Sequence, residues 1–197
     1  GWTPVPGYGT VYGVWEYTGN HKADIISNSW GWSEWALGQW MSATPWYDVL
    51  TAMEDALTIS GYLDPYYPGT VVVHAVGNGG PGYGSVTEPG YSTLVISVGA
   101  STSMNWTKDA FGFAGGYYDD VISWSARGPT ALGVVKPDIV GIGAFGFAPT
   151  AVFQGLGDGA NAFWIFGGTS MATPVVAGAA ALVDQGFKES YSLSPTC

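Results

Sequence analysis

The segment from Gly167 to Leu182 constrains this chain most, because it joins a glycine turn to a long run of small and apolar residues. The two glycines let the backbone turn sharply, and Thr169 and Ser170 follow where a helix would begin. No charge occurs before Asp184, so the pattern predicts a helix that is buried on all sides. Pro174 is expected in the first turn of this helix, where a missing N–H costs little.

A hydroxyl at the start of a buried helix has two interpretations. The helix dipole and the free N–H groups of the first turn favour negative charge, which suits a nucleophile at Ser170. Alternatively, Ser170 only satisfies backbone groups at the cap of a core helix. The segment taken alone leaves both roles open.

Residues 70–80 form the second informative stretch. A continuous run rich in β-branched residues is typical of a central parallel strand that is covered on both faces. It ends in Gly77-Asn78-Gly79-Gly80, at the strand end where open α/β sheets bind their ligands. Further buried strands are predicted at 23–31 and 93–100, and an amphipathic helix at 46–60 with Glu54 and Asp55 facing outward. Residues 1–22 and 144–166 are predicted to be loops or irregular connections.

The Gly-Thr-Ser-Met-Ala-Thr-Pro motif, with the Val-Ala-Gly-Ala-Ala-Ala-Leu run after it, resembles the nucleophile segment of subtilisin-like serine proteases, the subtilases. In that family the serine of this motif is acylated, which implies Ser170 as the nucleophile. The Gly77-Asn78 pair resembles the family's Gly-Asn pair, whose asparagine donates into the oxyanion hole. Asn78 is therefore implied as one oxyanion donor and the backbone N–H of Ser170 as the second.

The resemblance also implies a site for a polypeptide substrate. Ser29-Trp30-Gly31 is similar to the Ser-x-Gly element that lines the first specificity pocket of the family and pairs with substrate backbone. In the alternative interpretation this element is an ordinary strand end. By the same resemblance, substrate contacts are expected from Ala75, Val76, Gly77 and Thr169. Thr87 and Glu88 match the pocket border too loosely to predict specificity.

The resemblance covers roughly residues 23–186 and implies the second half of a catalytic domain. The expected fold is α/β, with a mostly parallel central sheet flanked by helices on both faces. Residues 1–197 would then be a single partial domain, incomplete without an N-terminal segment, with a Trp-rich insertion at 32–46.

The aspartate and histidine motifs of the family's catalytic triad have no match in this chain. Of the two histidines, His74 lies in an apolar strand and is expected to be buried and neutral, whereas His21 is expected to be solvated. A serine without a base is a poor nucleophile, so the chain alone is predicted to be nearly inactive. A preceding segment or a partner chain would supply the missing aspartate and histidine.

Two non-enzymatic alternatives remain. The first is a catalytically inactive subtilisin-like scaffold or binding module of a cell-surface assembly. The second is a glycan- or peptide-binding module that uses the tryptophans of residues 32–46. The related sedolisins are disfavoured, because they carry an aspartate at the oxyanion position where this chain has Asn78.

The charge and the hydrophobicity of the chain limit the classes of partner that it is expected to bind. A net charge of −10 with only five Lys and Arg residues argues against nucleic acid, and no apolar run approaches the ~20 residues that span a bilayer. The single cysteine, Cys197, excludes an internal disulfide. This acidic, lysine-poor composition favours an extracellular or cell-surface protein. No acidic cluster has metal-ligand spacing, so no metal site or cofactor is predicted, and calcium is suggested only by the family resemblance.

Overall fold

The computed structural model of this chain describes residues 17–31, 49–102, 109, 120–130, 133–149 and 163–191. Its helices and strands are, in chain order, β1 (Ile25–Asn28), α1 (Val49–Thr58), β2 (Val71–Ala75), β3 (Ile96–Thr102), β4 (Ile139–Ala144), β5 (Gly146–Pro149), β6 (Phe163–Phe166) and α2 (Thr169–Tyr191). Residues 17–20 are also helical, where a loop or an irregular strand was predicted. The predicted insertion at 32–46 lies outside the described residues.

Four strands form one sheet in the order β1-β2-β3-β4. Every neighbouring pair is parallel, and the register places Asn28 beside His74 and Ala75 beside Val98. The carboxyl ends of β1 and β2 therefore lie side by side. This brings the Ser29-Trp30-Gly31 element to the same edge of the sheet as the Gly-Asn loop.

The two helices pack on opposite faces of this sheet. On one side, which we call the α2 face, the core consists of Val73, Val98, Ala100, Ala172 and Ala177. On the other side, the α1 face, the core consists of Leu57, Val72 and Val95. Val72 and Val73 point to opposite faces because side chains alternate along a strand. The predicted α/β fold, with a parallel sheet between helices, is confirmed.

β5 and β6 form a separate antiparallel pair that the sequence interpretation missed. The prediction was wrong in taking the whole of residues 144–166 as an irregular connection. Glycine and alanine are frequent there, and they weaken the β-branched signal by which strands are recognised.

Helix α2 begins at Thr169 as predicted, but the expectation that it is buried on all sides is wrong. Its buried residues are Thr169, Ala172, Thr173 and Ala177. Leu182 and Val183 are each 72% exposed, and Phe187 is 53% exposed. One side of the helix contacts β1 to β4, whereas no described element covers the outward side.

Pro174 lies inside α2 rather than in its first turn, which corrects the second expectation about this helix. Any other residue at this position would donate its N–H to the carbonyl of Ser170, four residues earlier. The hydroxyl of Ser29 donates to that carbonyl instead, at 2.9 Å. The helix continues through Pro174, and the Ser170 carbonyl that the proline leaves without its usual helix partner is bonded by Ser29. This bond ties the end of β1 to the start of α2.

Candidate active site

Ser170 is held at the beginning of α2 by a glycine turn. Gly168 adopts a φ of 136°, a conformation that favours glycine. Its N–H donates to the carbonyl of Gly143 at 2.8 Å, and its own carbonyl accepts the N–H of Met171 at 3.0 Å. The Ser170 hydroxyl donates to the carbonyl of Ser29 at 3.2 Å. The start of the helix is thereby fixed against both β4 and the end of β1.

Asn78 is anchored to the same turn through one end of its carboxamide. Its Oδ1 accepts the backbone N–H of Thr169 at 2.9 Å and the Thr169 hydroxyl at 3.1 Å. The Gly77 N–H donates to the Thr169 hydroxyl oxygen at 3.2 Å, which completes the connection between the two segments. Because Oδ1 accepts both bonds, Nδ2 is the end of the amide that can donate to a ligand.

Two nitrogen donors lie close to one point at Gly168, two residues before Ser170. A Cβ built on Gly168 would be 3.4 Å from Asn78 Nδ2 and 3.6 Å from the backbone nitrogen of Ser170. Fixed N–H donors next to a nucleophilic oxygen are the groups that stabilise a developing oxyanion. The absence of a side chain at Gly168 leaves the space between these donors open.

These groups face an open cleft of about 520 Å³. It is lined by Trp30, Gly31, Ala75, Gly77, Asn78, Gly79, Thr87, Thr169 and Ser170, and none of these described residues is charged. The structure thus brings most of the sequence-predicted site residues together. Ser29 lies next to the cleft through its two bonds to Ser170. Val76 is fully buried, and its carbonyl accepts the N–H of Thr87 at 2.9 Å.

Thr87 lies in the cleft wall, at the pocket border that the family resemblance matched only loosely. A Cβ on Gly31 would lie 2.6 Å from Thr87 Oγ1, and a Cβ on Gly77 would also collide with the Thr87 side chain. The threonine therefore fits between two residues that have no side chain. Glu88, the other residue of that loose match, accepts a hydrogen bond from the Tyr91 hydroxyl at 2.7 Å.

Neither histidine of the chain lines the cleft. His74 is fully buried, as predicted, and its Nδ1 bonds to the Ala75 carbonyl at 3.0 Å. Burial lowers the pKa of His74 to about 4, so the ring is neutral near pH 7. His21 is exposed, where its ring stacks on Tyr17 with 3.8 Å between centroids. The described lining of the cleft therefore contains a serine hydroxyl and an asparagine amide but no histidine.

The described residues contain neither a metal-binding cluster nor a membrane-spanning helix. No group of three or more His, Cys, Asp or Glu side chains in those ranges is placed to hold a metal ion. Within the same ranges, no helix combines the length and the apolar character needed to cross a membrane.

Known proteins similar to this chain include two named proteases. Serine protease AprX of Bacillus subtilis is 38% identical over 123 residues, which cover 59% of this chain and 26% of AprX. Pyrolysin of Pyrococcus furiosus is 31% identical over 198 residues, which cover 92% of this chain and 13% of pyrolysin. The chain therefore spans only a minor part of the length of these relatives.

Solved structures share the fold. Sphericase superimposes with a TM-score of 0.54 at 24% identity, over 92% of this chain and 48% of sphericase. A psychrophilic protease gives a TM-score of 0.58 at 23% identity, over 93% of this chain and 50% of that protein. The chain thus spans about half of each structure. The sequence profile of the subtilase family matches residues 7–196, and the chain belongs to that family.

Proposed function

We propose that this chain is the nucleophile-bearing half of a serine endopeptidase domain that cleaves polypeptides through an acyl-enzyme at Ser170. One observation carries the proposal: Thr169 anchors the Asn78 carboxamide beside Ser170 in a single open cleft. Membership of the subtilase family and the similarity to serine protease AprX support it.

In the proposed reaction, Ser170 Oγ attacks the carbonyl carbon of the substrate while a general base takes the hydroxyl proton. Asn78 Nδ2 and the Ser170 N–H donate to the oxygen that becomes negative. The carbon–nitrogen bond then breaks, and the protonated base returns its proton to the leaving amine. Water, activated by the same base, hydrolyses the ester and restores the serine hydroxyl.

The base and the carboxylate that orients it are proposed to come from a preceding segment or a partner chain. In this chain the Ser170 hydroxyl donates to the carbonyl of Ser29, which cannot accept its proton as a base would. The chain alone is therefore expected to be nearly inactive. The partly exposed apolar side chains of Ile139 and Ile142 on the last strand of the described sheet also suit a missing neighbour.

The lining of the cleft favours an uncharged substrate side chain. Its described residues carry only apolar groups, hydroxyls and an amide, so they offer no counter-charge to a lysine or a glutamate. The acidic composition supports work outside the cell or at its surface, as proposed from the sequence.

Labelling with a fluorophosphonate tests the proposal. The chain is expected to react very slowly alone, and stoichiometrically at Ser170 when it is joined to a segment that carries the aspartate and the histidine. Ser170→Ala should abolish labelling and peptide cleavage. Ser190→Ala, an exposed serine at the far end of α2, is the matched control and should change neither.

Two results would contradict the proposal. Fast labelling of the isolated chain would show that no external base is needed. An assembled protein that neither labels nor cleaves peptides would instead indicate a subtilase fold retained for binding.

A further inference from the structure

A group of polar side chains is buried on the α1 face directly behind the cleft. Asn28, Glu54 and His74 are 4%, 0% and 0% exposed. Burying a carboxylate is costly unless hydrogen bonds compensate it, and an apolar side chain of similar size would fill the same space. The presence of Glu54 therefore calls for a reason beyond packing.

Asn28 connects Glu54 to Trp30 by two hydrogen bonds. Asn28 Nδ2 donates to Glu54 Oε1 at 3.1 Å, and Asn28 Oδ1 accepts the indole N–H of Trp30 at 3.2 Å. His74 packs beside both residues: its Nε2 lies 3.6 Å from Glu54 Oε1, and its ring meets the indole edge-on, with 5.2 Å between ring centroids. Glu54 thus reaches the indole through the amide of Asn28.

The orientation of the Asn28 amide depends on the carboxylate. A carboxylate oxygen accepts, so it selects the Nδ2 end of the amide and leaves Oδ1 to face the indole. The His74 ring is fixed separately, because its Nδ1 donates to the Ala75 carbonyl at 3.0 Å, so Nε2 of the neutral ring carries a lone pair and cannot donate to Glu54. The hydrogen bond to the indole is therefore set from α1 through Asn28.

We propose that Glu54 is a positioning residue for the substrate cleft, which acts through Asn28 to fix the Trp30 indole as one wall. Trp30 lines the cleft that contains Ser170 and Asn78. The network would thereby set which substrate side chains the cleft accepts, without touching the substrate. This consequence for substrates rests on the proposed peptidase function, whereas the control of the indole does not.

Asp55 provides a matched control for Glu54. It is the next residue of α1, is 3% exposed and is also acidic. Its carboxylate accepts a hydrogen bond from the Ser92 hydroxyl, in the loop before β3. Removing the charge at Asp55 therefore perturbs the same buried helix turn through a different partner.

Nuclear magnetic resonance of the indole N–H groups tests the network in the protein that includes the aspartate- and histidine-bearing segment. Trp30→Phe assigns the Trp30 signal by its loss. Glu54→Gln is expected to shift this signal and to speed its hydrogen exchange about tenfold, whereas Asp55→Asn should leave it in place. An unchanged Trp30 signal in Glu54→Gln would overturn the proposal. If Glu54→Gln does not fold, Glu54→Asp keeps the charge but withdraws it from Asn28 by one methylene, and it carries the same test.

Steady-state kinetics tests the consequence for substrates. Glu54→Gln should raise KM about three- to tenfold for a peptide with a large apolar side chain in the cleft, the effect of replacing the charged acceptor of one hydrogen bond with a neutral one, with kcat nearly unchanged. In a Trp30→Phe background the same substitution should have no further effect on KM. A KM effect that persists without the indole would overturn the proposal. A shifted indole signal in a protein without peptidase activity would reject the proposed function and leave the positioning role intact.

Discussion

The α2 face and the α1 face of the sheet hold their residues in place by different kinds of contact. On the α2 face, small residues such as Ala100, Ala172 and Ala177 let the helix approach the strands closely. On the α1 face, the core instead includes Glu54 and His74, buried and in contact with each other. The proposed nucleophile, the Ser170 hydroxyl, would need a backbone held in place, which close packing provides. The proposed indole wall would need side-chain contacts that fix its rotation.

The close approach on the α2 face can be read from the glycines of β4. A Cβ on Gly141 would lie 2.9 Å from the carbonyl oxygen of Ala172, and a Cβ on Gly143 would lie 2.7 Å from that of Gly168. The turn before Ser170 therefore rests directly on strand backbone. Four predictions, given from the largest expected effect to the smallest, test this contrast between the faces.

Asn78→Asp tests whether the amide donor matters apart from its anchoring role. The variant keeps the oxygen that accepts from Thr169, but it replaces the Nδ2 donor with a charged oxygen. In the assembled protein that supplies the general base, we expect kcat for peptide cleavage to fall by a factor on the order of 10²–10³. This is the size known for the loss of one oxyanion donor in a protease of this family. Asn20→Asp adds the same charge at an exposed position and should leave kcat unchanged. A fall of less than tenfold in Asn78→Asp would reject the donor role.

The buried histidine makes the α1 face sensitive to acid. Burial lowers the pKa of His74 from 6.5 to about 4, so between these values the unfolded chain binds more protons than the folded chain. The free energy of unfolding should therefore decrease as the pH falls from about 6.5 to 4, by at most about 3 kcal/mol. Urea unfolding at several pH values measures this slope.

His74→Gln should flatten the slope over that range, because no imidazole remains to take up the proton. His21→Gln removes the exposed histidine and should leave the slope unchanged. If the free energy of unfolding changes with pH in the same way in the original chain and in His74→Gln, the α1 face does not contribute to the acid sensitivity.

Gly141→Ala tests the close packing of the α2 face. The new Cβ would meet the Ala172 carbonyl at 2.9 Å and Val176 Cγ2 at 3.1 Å, so the helix must move away from β4. We expect the free energy of unfolding to decrease by about 1–3 kcal/mol, as for other overpacked sites. Thermal unfolding measures the change, and a variant as stable as the original would show that α2 shifts freely on the strand.

Gly186→Ala tests the outward, exposed part of the same helix. Among the described residues, no atom outside the neighbouring helix backbone lies within 4 Å of the Cβ position there, so helix propensity is the property expected to change. We expect the free energy of unfolding to increase by up to about 1 kcal/mol. A loss of stability would show that this part of α2 packs more tightly than its exposure indicates.

Local patterns were enough to predict much of this protein. The glycine turn before Ser170 and the β-branched run before Asn78 encode a helix start and a buried strand in the residues themselves. That residues 29–31 and 77–78 would belong to one site was implied by the family resemblance rather than by the strand pattern, and the parallel register of β1 and β2 places them at the same edge of the sheet.

The remaining features depend on contacts between distant parts of the chain. The Ser29 bond that accommodates Pro174 joins residues 141 positions apart, and Asn28 meets Glu54 across 26 positions. Glu54 alone reads as the outward-facing acid of an amphipathic helix; only its contacts with Asn28 and His74 place it inside. Burial and pairing are properties of the packed chain, because each depends on which other residues arrive at the same place.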